Sequence, residues 1–564
     1  MSSFLIRDAI VIDGTGEDAF VGDVIVEGDT IAEMRRTADL KDGETVDEAA
    51  KRLSANSTSD RSLGESCFEK VIDAEGLVVS PGFIDIHTHS DLSILAAPDA
   101  SSKVLQGVTT DVTGNCSIGP APLDSFEAYG YFQFWRSYES SWLRRAGVRW
   151  PMWRSWPEYS EVLEEHKKSI NIAGLVAHGP VRASVVGVDD EPAAEEQMSK
   201  MIYLIEEAME AGAFGFSTGL TYRPSRYADT SEVVELVRAV SRRGGFYSTH
   251  VRGEDDRLLD AVEEALTIGS RTAGAVQISH HKAAGKANWG TIKDSLECIR
   301  KARDGGLDVA VDVYPYRFGG TYPGSLQRLL PQSMRPDGDN QKEVCRPEIA
   351  QWLRENSGIS DNPGRDGPFT LRWDDIYVVE HPDDGVVGCT VSEIASEDED
   401  KCVEWYLSQL GCEKVKVKRI SMSEEDVRTV LSSSASMVGS DTYAMNDSDV
   451  FSATWLHPRN FGAFARVLEK YVRDEGVLGW EQAVNKMTQR PALRLGLSDR
   501  GVLRAGMKAD LSLFSPNDIE ERASVGSPFE YAAGMEWVFV NGTAVVAEGQ
   551  VTGNRPGQLL RKTD

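Results

Sequence analysis

Six side chains of the kinds that bind zinc follow short apolar segments along the chain. His87 and His89 end the segment GFIDIHTH, and residues at positions i and i+2 of one strand point to the same side. Histidine nitrogen, cysteine thiolate and carboxylate oxygen are the usual zinc ligands in proteins. The arrival of such groups at the ends of successive strands predicts one metal-binding cluster. Its members are His87, His89, Cys116, His250, His280 and Asp441.

The elements that must position these side chains alternate between strand and helix patterns. Apolar runs such as AFGFSTG, FYSTHV and AVQISHH are separated by amphipathic segments such as TSEVVELVRAVSRRGG and DDRLLDAVEEALTIG. Repeated strand-then-helix units predict a parallel sheet. A (β/α)8 barrel places its chemistry at the carboxyl ends of its strands. We therefore predict an α/β fold, with a TIM-like barrel over residues 80–499.

Both ends of the chain show the alternation that is typical of β-strands. Asn541-Gly542 between two apolar segments is a strong hairpin signal. Together the ends predict one small β-sandwich domain, built from residues 1–79 and 500–564. Two insertions interrupt these patterns. The polar segment 37–69 is predicted to be an exposed loop, and the segment at about 318–418 a lid beside the barrel mouth.

The composition limits the classes of partner. The chain has 89 acidic and 60 basic residues, and its formal net charge is -29. A negative electrostatic field disfavours binding to nucleic acid and to anionic membranes.

We expect no membrane span and no secretory signal, because the chain has no long apolar run. The cysteines are odd in number and irregularly spaced, which favours free thiols in a reducing compartment. We therefore expect a cytoplasmic protein.

Several longer motifs carry a resemblance to a known group. They are PGFIDIHTHSD, TGNC, STGLTYRPSRYADTSE, THVRGE, ISHHK, VDVYPY, GSD and HPRNFG. Taken together, they resemble the D-aminoacylase (N-acyl-D-amino-acid deacylase) family of the amidohydrolase superfamily. The resemblance runs from about residue 4 to 550, with gaps at the two insertions. HxH with GSD marks the superfamily, whereas GNC, STGLTY and SHHK together are much more specific.

The resemblance implies a zinc-dependent hydrolase that converts N-acyl-D-amino acids to a carboxylate and a free D-amino acid. It implies one tight zinc site and a second, weaker one that shares the Cys116 thiolate. Many relatives bridge two metals with a carboxylated lysine, but the matching strand AGAFGFSTG contains no lysine. Cys116 in the bridging role separates the chain from hydantoinases and dihydroorotases. The tight ligands are Cys116, His250 and His280, and the weaker set is His87, His89 and Asp441.

The resemblance also assigns the groups that act on the substrate. Asp441 serves as general base and later as general acid toward a metal-activated water. Tyr314 in VDVYPY stabilises the tetrahedral oxyanion. Arg459 in HPRNFG binds the free α-carboxylate, because a guanidinium holds a carboxylate bidentately, and Lys282 assists it. Arg252 and Glu254 are predicted to orient the ligands.

Other functions stay open at this point. One is hydrolysis of cyclic amides of the hydantoin or dihydropyrimidine type, and another is hydrolysis of a different linear amide. A non-catalytic scaffold is disfavoured, because every ligand position is filled. The oligomeric state and the number of metals also stay open.

Some positions leave the substrate range open. Ser117 follows the cysteine where relatives usually have glycine, and RFGGTY after the tyrosine motif leaves Thr321 as a weak donor. Arg223 or Arg317 could supply the extra cation that an acidic substrate side chain requires.

Lys103, in SSKVLQGVTT, is predicted to lie on a helix surface.

Overall fold

A computed structural model gives the fold of the chain. It describes residues 3–56, 68–149, 153–319, 326–330, 334, 346–358, 371–412, 414–448, 451 and 456–562.

The strands form one large sheet from the two chain ends, two parallel sheets in the middle and two small sheets in the 318–418 insertion. In chain order they are β1 (Ser3–Val11), β2 (Phe20–Glu27), β3 (Thr30–Asp39), β4 (Lys70–Asp73), β5 (Val78–Pro81), β6 (Phe83–Asp85), β7 (Val108–Thr113), β8 (Asn171–Gly174), β9 (Val176–Ala177), β10 (Gly215–Gly219), β11 (Phe246–His250), β12 (Val276–Ile278), β13 (Val309–Val313), β14 (Ser357–Gly358), β15 (Leu371–Arg372), β16 (Ile376–Glu380), β17 (Lys416–Arg419), β18 (Ser436–Val438), β19 (Leu511–Phe514), β20 (Met535–Val540), β21 (Thr543–Ala547), β22 (Gln550–Val551) and β23 (Leu559–Leu560).

Helices follow most of the parallel strands. In chain order they are α1 (Val46–Asn56), α2 (Ser90–Ala96), α3 (Ser101–Val104), α4 (Phe126–Trp135), α5 (Ser137–Arg145), α6 (Trp156–Glu165), α7 (His178–Val185), α8 (Glu195–Glu210), α9 (Thr230–Arg242), α10 (Leu258–Thr272), α11 (Ile292–Asp304), α12 (Arg346–Asn356), α13 (Val391–Ile394), α14 (Glu399–Gln409), α15 (Glu424–Ser432), α16 (Arg459–Arg466), α17 (Trp480–Met487) and α18 (Gln489–Leu495). Within the described ranges, none of them has the length and apolar character needed to cross a bilayer.

Helix α9 shows how the local sequence sets these elements. Asp229 caps its first turn by accepting a hydrogen bond from the backbone N–H of Glu232. Apolar side chains recur every three or four residues and form its buried face, which includes Val233, Val237 and Val240. Helices α8, α9, α10 and α11 pack successively against one another outside the parallel strands.

The two larger parallel sheets take all of their strands except β23, which lies near the C-terminal end, from the middle of the chain. The six-stranded sheet has the order β18-β13-β12-β11-β10-β9, and the four-stranded sheet has the order β23-β8-β7-β6. Only Leu175 separates β8 from β9, so the two sheets are continuous there. At the other end, Thr88 and Thr442 form a parallel bridge, and the Asp441 N–H donates to the His87 carbonyl at 2.8 Å. The predicted α/β class with parallel strands is confirmed.

The nine-stranded sheet combines both chain ends in the order β22-β21-β20-β19-β5-β1-β2-β3, with β4 beside β1. One cluster of buried apolar side chains spans strands from both ends, including Ile6, Val24, Leu511 and Phe539. Asn541-Gly542 forms the turn between β20 and β21, and both residues have positive φ, at 46° and 73°. This is the backbone that a two-residue type I′ hairpin requires.

Both predicted insertions contain folded structure. The prediction of an exposed loop is wrong for residues 46–56, which form α1 with Ala49 and Ala50 fully buried. Residues 57–67 lie outside the described part of the chain. The described residues of the 318–418 segment form a separate hydrophobic core that includes Leu353, Trp373 and Tyr406. The sequence did not predict the buried residues of the two insertions, because acidic residues and glycines lie between them along the chain.

Lys103 joins the first and last parallel strands at their carboxyl ends. The prediction of a helix-surface position is wrong, because its side chain is only 1% exposed. Its Nζ donates to Asp85 Oδ2 at 2.7 Å, Ser440 Oγ at 2.9 Å and Thr442 Oγ1 at 2.8 Å. Asp85 lies two residues before His87. The α3 segment is so short that no amphipathic pattern could reveal the burial.

We expect Lys103→Met to lower the free energy of unfolding by about 3–5 kcal/mol, because it leaves the buried Asp85 carboxylate without its cation. Denaturant unfolding followed by circular dichroism measures the change. Lys301→Met is the matched control, since the Lys301 side chain is 69% exposed and its ion pair lies on a helix surface. A Lys103→Met protein as stable as the control would contradict this role.

Candidate metal centre

The structure brings all six predicted metal-binding side chains together at the carboxyl ends of the parallel strands. They form three overlapping groups, and within each group the ligand atoms lie within 4.8 Å of one another. All six side chains are buried. The groups are His87, His89 and Cys116; Cys116, His250 and His280; and His87, His280 and Asp441.

Cys116 lies between the histidines. Its Sγ is 3.3 Å from His87 Nε2 and 3.4 Å from His280 Nε2. Burial by itself raises the pKa of the thiol, but the charges of His87 and His280 and hydrogen bonds from His250 and His280 hold this pKa well below its usual value. These contacts favour the thiolate, which is the form of cysteine that binds a metal.

Three of the six residues have a left-handed backbone. Their φ angles are 55° at Cys116, 34° at His280 and 54° at Asp441, and Ser117 follows Cys116 with a φ of 66°. Residues other than glycine rarely adopt this conformation, and it is common where a functional site constrains the chain. Ser117 is held there by a backbone N–H bond to Ser217 Oγ at 3.2 Å. The types and spacing of these residues did not predict their left-handed backbone.

Asp312 orients two of the histidines, although the sequence did not single it out. Its Oδ1 lies 2.9 Å from His87 Nδ1 and accepts the backbone N–H of His280 at 2.7 Å. Gln277 Nε2 donates to Oδ2 at 3.0 Å. Burial raises the pKa of Asp312, but the charge and hydrogen bond of His87 outweigh this effect and lower it. An outer carboxylate of this kind fixes the ring orientation of a ligand histidine.

Glu254 lies beside the ring of His280, as Asp312 lies beside the ring of His87. It lies 3.0 Å from His280 Nδ1 and 2.5 Å from Lys282 Nζ. Burial and the positive charge of Lys282 lower the pKa of His280. The negative charges of Cys116 and Glu254 outweigh them, so this pKa rises to about 9. Arg252 instead binds Glu264 on α10 at 2.9 Å.

Asp441, Arg459 and Tyr314 form a contiguous group beside the histidines. Asp441 Oδ1 lies 3.0 Å from His89 Nε2, and Oδ2 lies 2.9 Å from Arg459 Nη2. The Arg459 guanidinium lies 4.3 Å from the centre of the Tyr314 ring. Burial raises the pKa of Asp441, but Arg459, followed by the neighbouring histidines, holds it well below its usual range. Asp441 is therefore an ionised carboxylate that can accept a proton.

Lys418 is a further buried basic side chain on this side of the site. It lies on β17, its side chain is 4% exposed, and its Nζ donates to the Gly319 carbonyl at 3.2 Å. The sequence predicted other cations for an acidic substrate. Arg223 is exposed and lies 5.7 Å from the Tyr227 ring, and Arg317 acts on the pKa of Asp375 in the insertion. Thr321 lies outside the described residues.

Together these groups provide the parts that amide hydrolysis requires. The thiolate, imidazoles and carboxylate form a donor set suited to zinc. Asp441, the carboxylate of this set, is ionised and contacts the Arg459 guanidinium, and the Lys282 ammonium contacts Glu254 beside His280.

Comparison with known proteins gives consistent results. A family model described as "Amidohydrolase family" matches residues 70–335 and 404–551. The chain is 35% identical over 556 residues to N-acyl-D-glutamate deacylase of Alcaligenes xylosoxydans xylosoxydans, covering 96% of each chain.

Two solved structures match over nearly the whole length. One is an N-acyl-D-glutamate deacylase from Bordetella bronchiseptica complexed with zinc and a phosphonate inhibitor that mimics the tetrahedral intermediate. It has a TM-score of 0.73 and 29% identity, over 99% of each chain. The other is a D-aminoacylase with a binuclear metal centre, in which one metal activates the enzyme and the second attenuates it. It has a TM-score of 0.72 and 30% identity, over 99% of each chain. The chain therefore belongs to the D-aminoacylase (N-acyl-D-amino-acid deacylase) family of the amidohydrolase superfamily.

Proposed function

We propose that this protein is a zinc-dependent hydrolase that cleaves the amide bond of N-acyl-D-amino acids to give a carboxylate and a free D-amino acid. The observation that carries the proposal is the Cys116-centred donor set with Arg459 bound to Asp441 at its edge. The relatives with zinc and deacylase activity in their names support the same reaction. The preference for D over L substrates follows from those relatives.

The donor set fits zinc. A buried thiolate with two or more imidazoles matches the ligands that this ion prefers. We assign Cys116, His250 and His280 to one tight site. His87, His89 and Asp441 form a weaker second set that shares the Cys116 sulfur. When bound, zinc supplies Lewis acidity that activates water and polarises the amide carbonyl.

Asp441 serves as the proton acceptor in this proposal. It is ionised, and its contacts with His89 and Arg459 hold both carboxylate oxygens in place. A carboxylate fixed beside the attacking water takes its proton and can later deliver that proton to the leaving amine. Tyr314, below the Arg459 guanidinium, is the candidate donor to the developing oxyanion.

The free α-carboxylate of the substrate is assigned to Arg459 and Lys282. Both cations are buried or nearly so, and each already contacts an acid of the site, Asp441 and Glu254 respectively. A substrate carboxylate competes with these acids for the same donors. Hydantoin and dihydropyrimidine rings have no free carboxylate for these cations to bind, so the geometry favours linear N-acyl amino acids over cyclic amides.

The overall architecture is part of the same proposal. We infer that the parallel strands close into a (β/α)8 barrel through the Thr88–Thr442 bridge, within residues 80–499. The sheet of both ends would form the β-sandwich domain of residues 1–79 and 500–564, and the 318–418 insertion the lid. The small-molecule substrate and the cytoplasmic location stay predictions.

The first test combines metal content with stereochemistry. Purified protein should contain about one tightly bound zinc per chain and hydrolyse N-acetyl-D-amino acids but not their L isomers. Cys116→Ala should lose the zinc and at least about 10³-fold in kcat/KM, because both proposed sets lose their shared sulfur. Cys298→Ala is the control, since Cys298 is exposed on α11. Full zinc content in Cys116→Ala would refute the proposed ligand set.

The second test addresses the carboxylate. We expect Arg459→Lys to lower kcat/KM for N-acetyl-D-methionine by about 10²-fold, because a lysine cannot form the bidentate pair. The N-acetyl-D-methionine primary amide has no α-carboxylate, so its slower hydrolysis should change by less than about fivefold. Steady-state kinetics on both substrates give the ratio. Equal losses would mean that Arg459 acts through Asp441 alone.

A further inference from the structure

Lys418 is directed out of the core of the insertion. Its neighbour Val417 packs into that hydrophobic core, next to β16. Because successive side chains of a strand point to opposite faces, the Lys418 side chain leaves on the other face. There its Nζ meets the carbonyl of Gly319, on the segment that follows β13. The insertion thus brings a buried amine to the barrel side.

A short series of contacts links this position to Arg459. Phe318 adjoins Gly319, and its ring centre lies 5.6 Å from that of His457. His457 Nδ1 accepts the backbone N–H of Arg459 at 3.0 Å. Lys418 therefore lies on the Arg459 side of the metal centre, where the substrate carboxylate is assigned.

The charges of the site act on Lys418. Burial and the positive charge of Arg459 hold the pKa of Lys418 well below its usual value, and Asp441 opposes them. Burial, Arg459 and Lys418 likewise lower the pKa of His457. Two buried basic side chains, Arg459 and Lys418, thus lie on the same side of the site. A bound carboxylate stabilises the charged form of such groups, so two of them suit a ligand with two carboxylates.

We propose that Lys418 binds a second carboxylate, on the side chain of the substrate, so that the preferred substrates are N-acyl derivatives of acidic D-amino acids. The inference rests on the proposed function and adds its substrate class. Arg459 and Lys282 take the α-carboxylate, and Lys418 takes the carboxylate at the far end. The cation thus comes from the insertion, whereas the catalytic groups come from the barrel strands.

The test compares two substrates that differ in charge and hardly in size, N-acetyl-D-glutamate and N-acetyl-D-glutamine. We expect the unmodified protein to prefer the glutamate by at least about tenfold in kcat/KM. Lys418→Met should lower kcat/KM for the glutamate by about 30-fold, mostly through KM, because a charge-assisted hydrogen bond is lost. The value for the glutamine should stay within about threefold.

Two further variants separate recognition from folding. Lys418→Arg should keep most of the preference for glutamate, since it restores a cation. Lys401→Met removes a lysine of the same insertion whose side chain is 64% exposed, and it should change neither substrate. Thermal unfolding of each variant checks that the fold is intact.

The outcomes distinguish the two proposals. Equal losses for both substrates in Lys418→Met, or no loss for either, would overturn the role of Lys418. An unmodified protein that hydrolyses the glutamine as well as the glutamate would overturn it too, while the deacylase function would stand. Absence of hydrolysis for every N-acyl-D-amino acid would overturn the proposed function, and this substrate class with it.

Discussion

A thiolate buried among imidazoles is the interaction on which the rest of the site depends. The Cys116 sulfur lies within 3.4 Å of nitrogen atoms on His87 and His280. A charge in a medium of low dielectric must be compensated by partners at fixed distances. The histidines compensate the sulfur, and Asp312 and Glu254 hold the histidines in turn. The left-handed backbone at Cys116 is the local strain that accompanies this placement.

The short distances within the metal centre require that the carboxyl ends of strands far apart in sequence lie side by side. His87 and Asp441 come from opposite ends of the run of parallel strands, and Lys103 binds residues that flank both of them. A shift of one residue in the pairing at Thr88 and Thr442 would turn one of these ligands away, because side chains alternate along a strand. The buried lysine therefore links the two strand ends that carry His87 and Asp441.

The two cations to which we assign the substrate carboxylate already have partners. Arg459 contacts Asp441, and Lys282 contacts Glu254, so the site stays compensated before a substrate carboxylate arrives. In the proposed function, competition for these donors would link the binding of the substrate carboxylate to the charges around Asp441. The proposed second carboxylate would add Lys418, from a segment that has its own hydrophobic core.

The sequence by itself determined the α/β class, the family and the six residues of the donor set. Residue type and position after apolar segments are local properties, and they are visible along the chain at His87, Cys116 or His280. It did not show that Lys103 and Lys418 are buried, that residues 46–56 form a helix, or that Asp312 supports the histidines. Those properties depend on which distant segments meet. A lysine in a short helix or an edge strand has the same local pattern whether water or a carboxylate faces it, and only the tertiary structure decides between them.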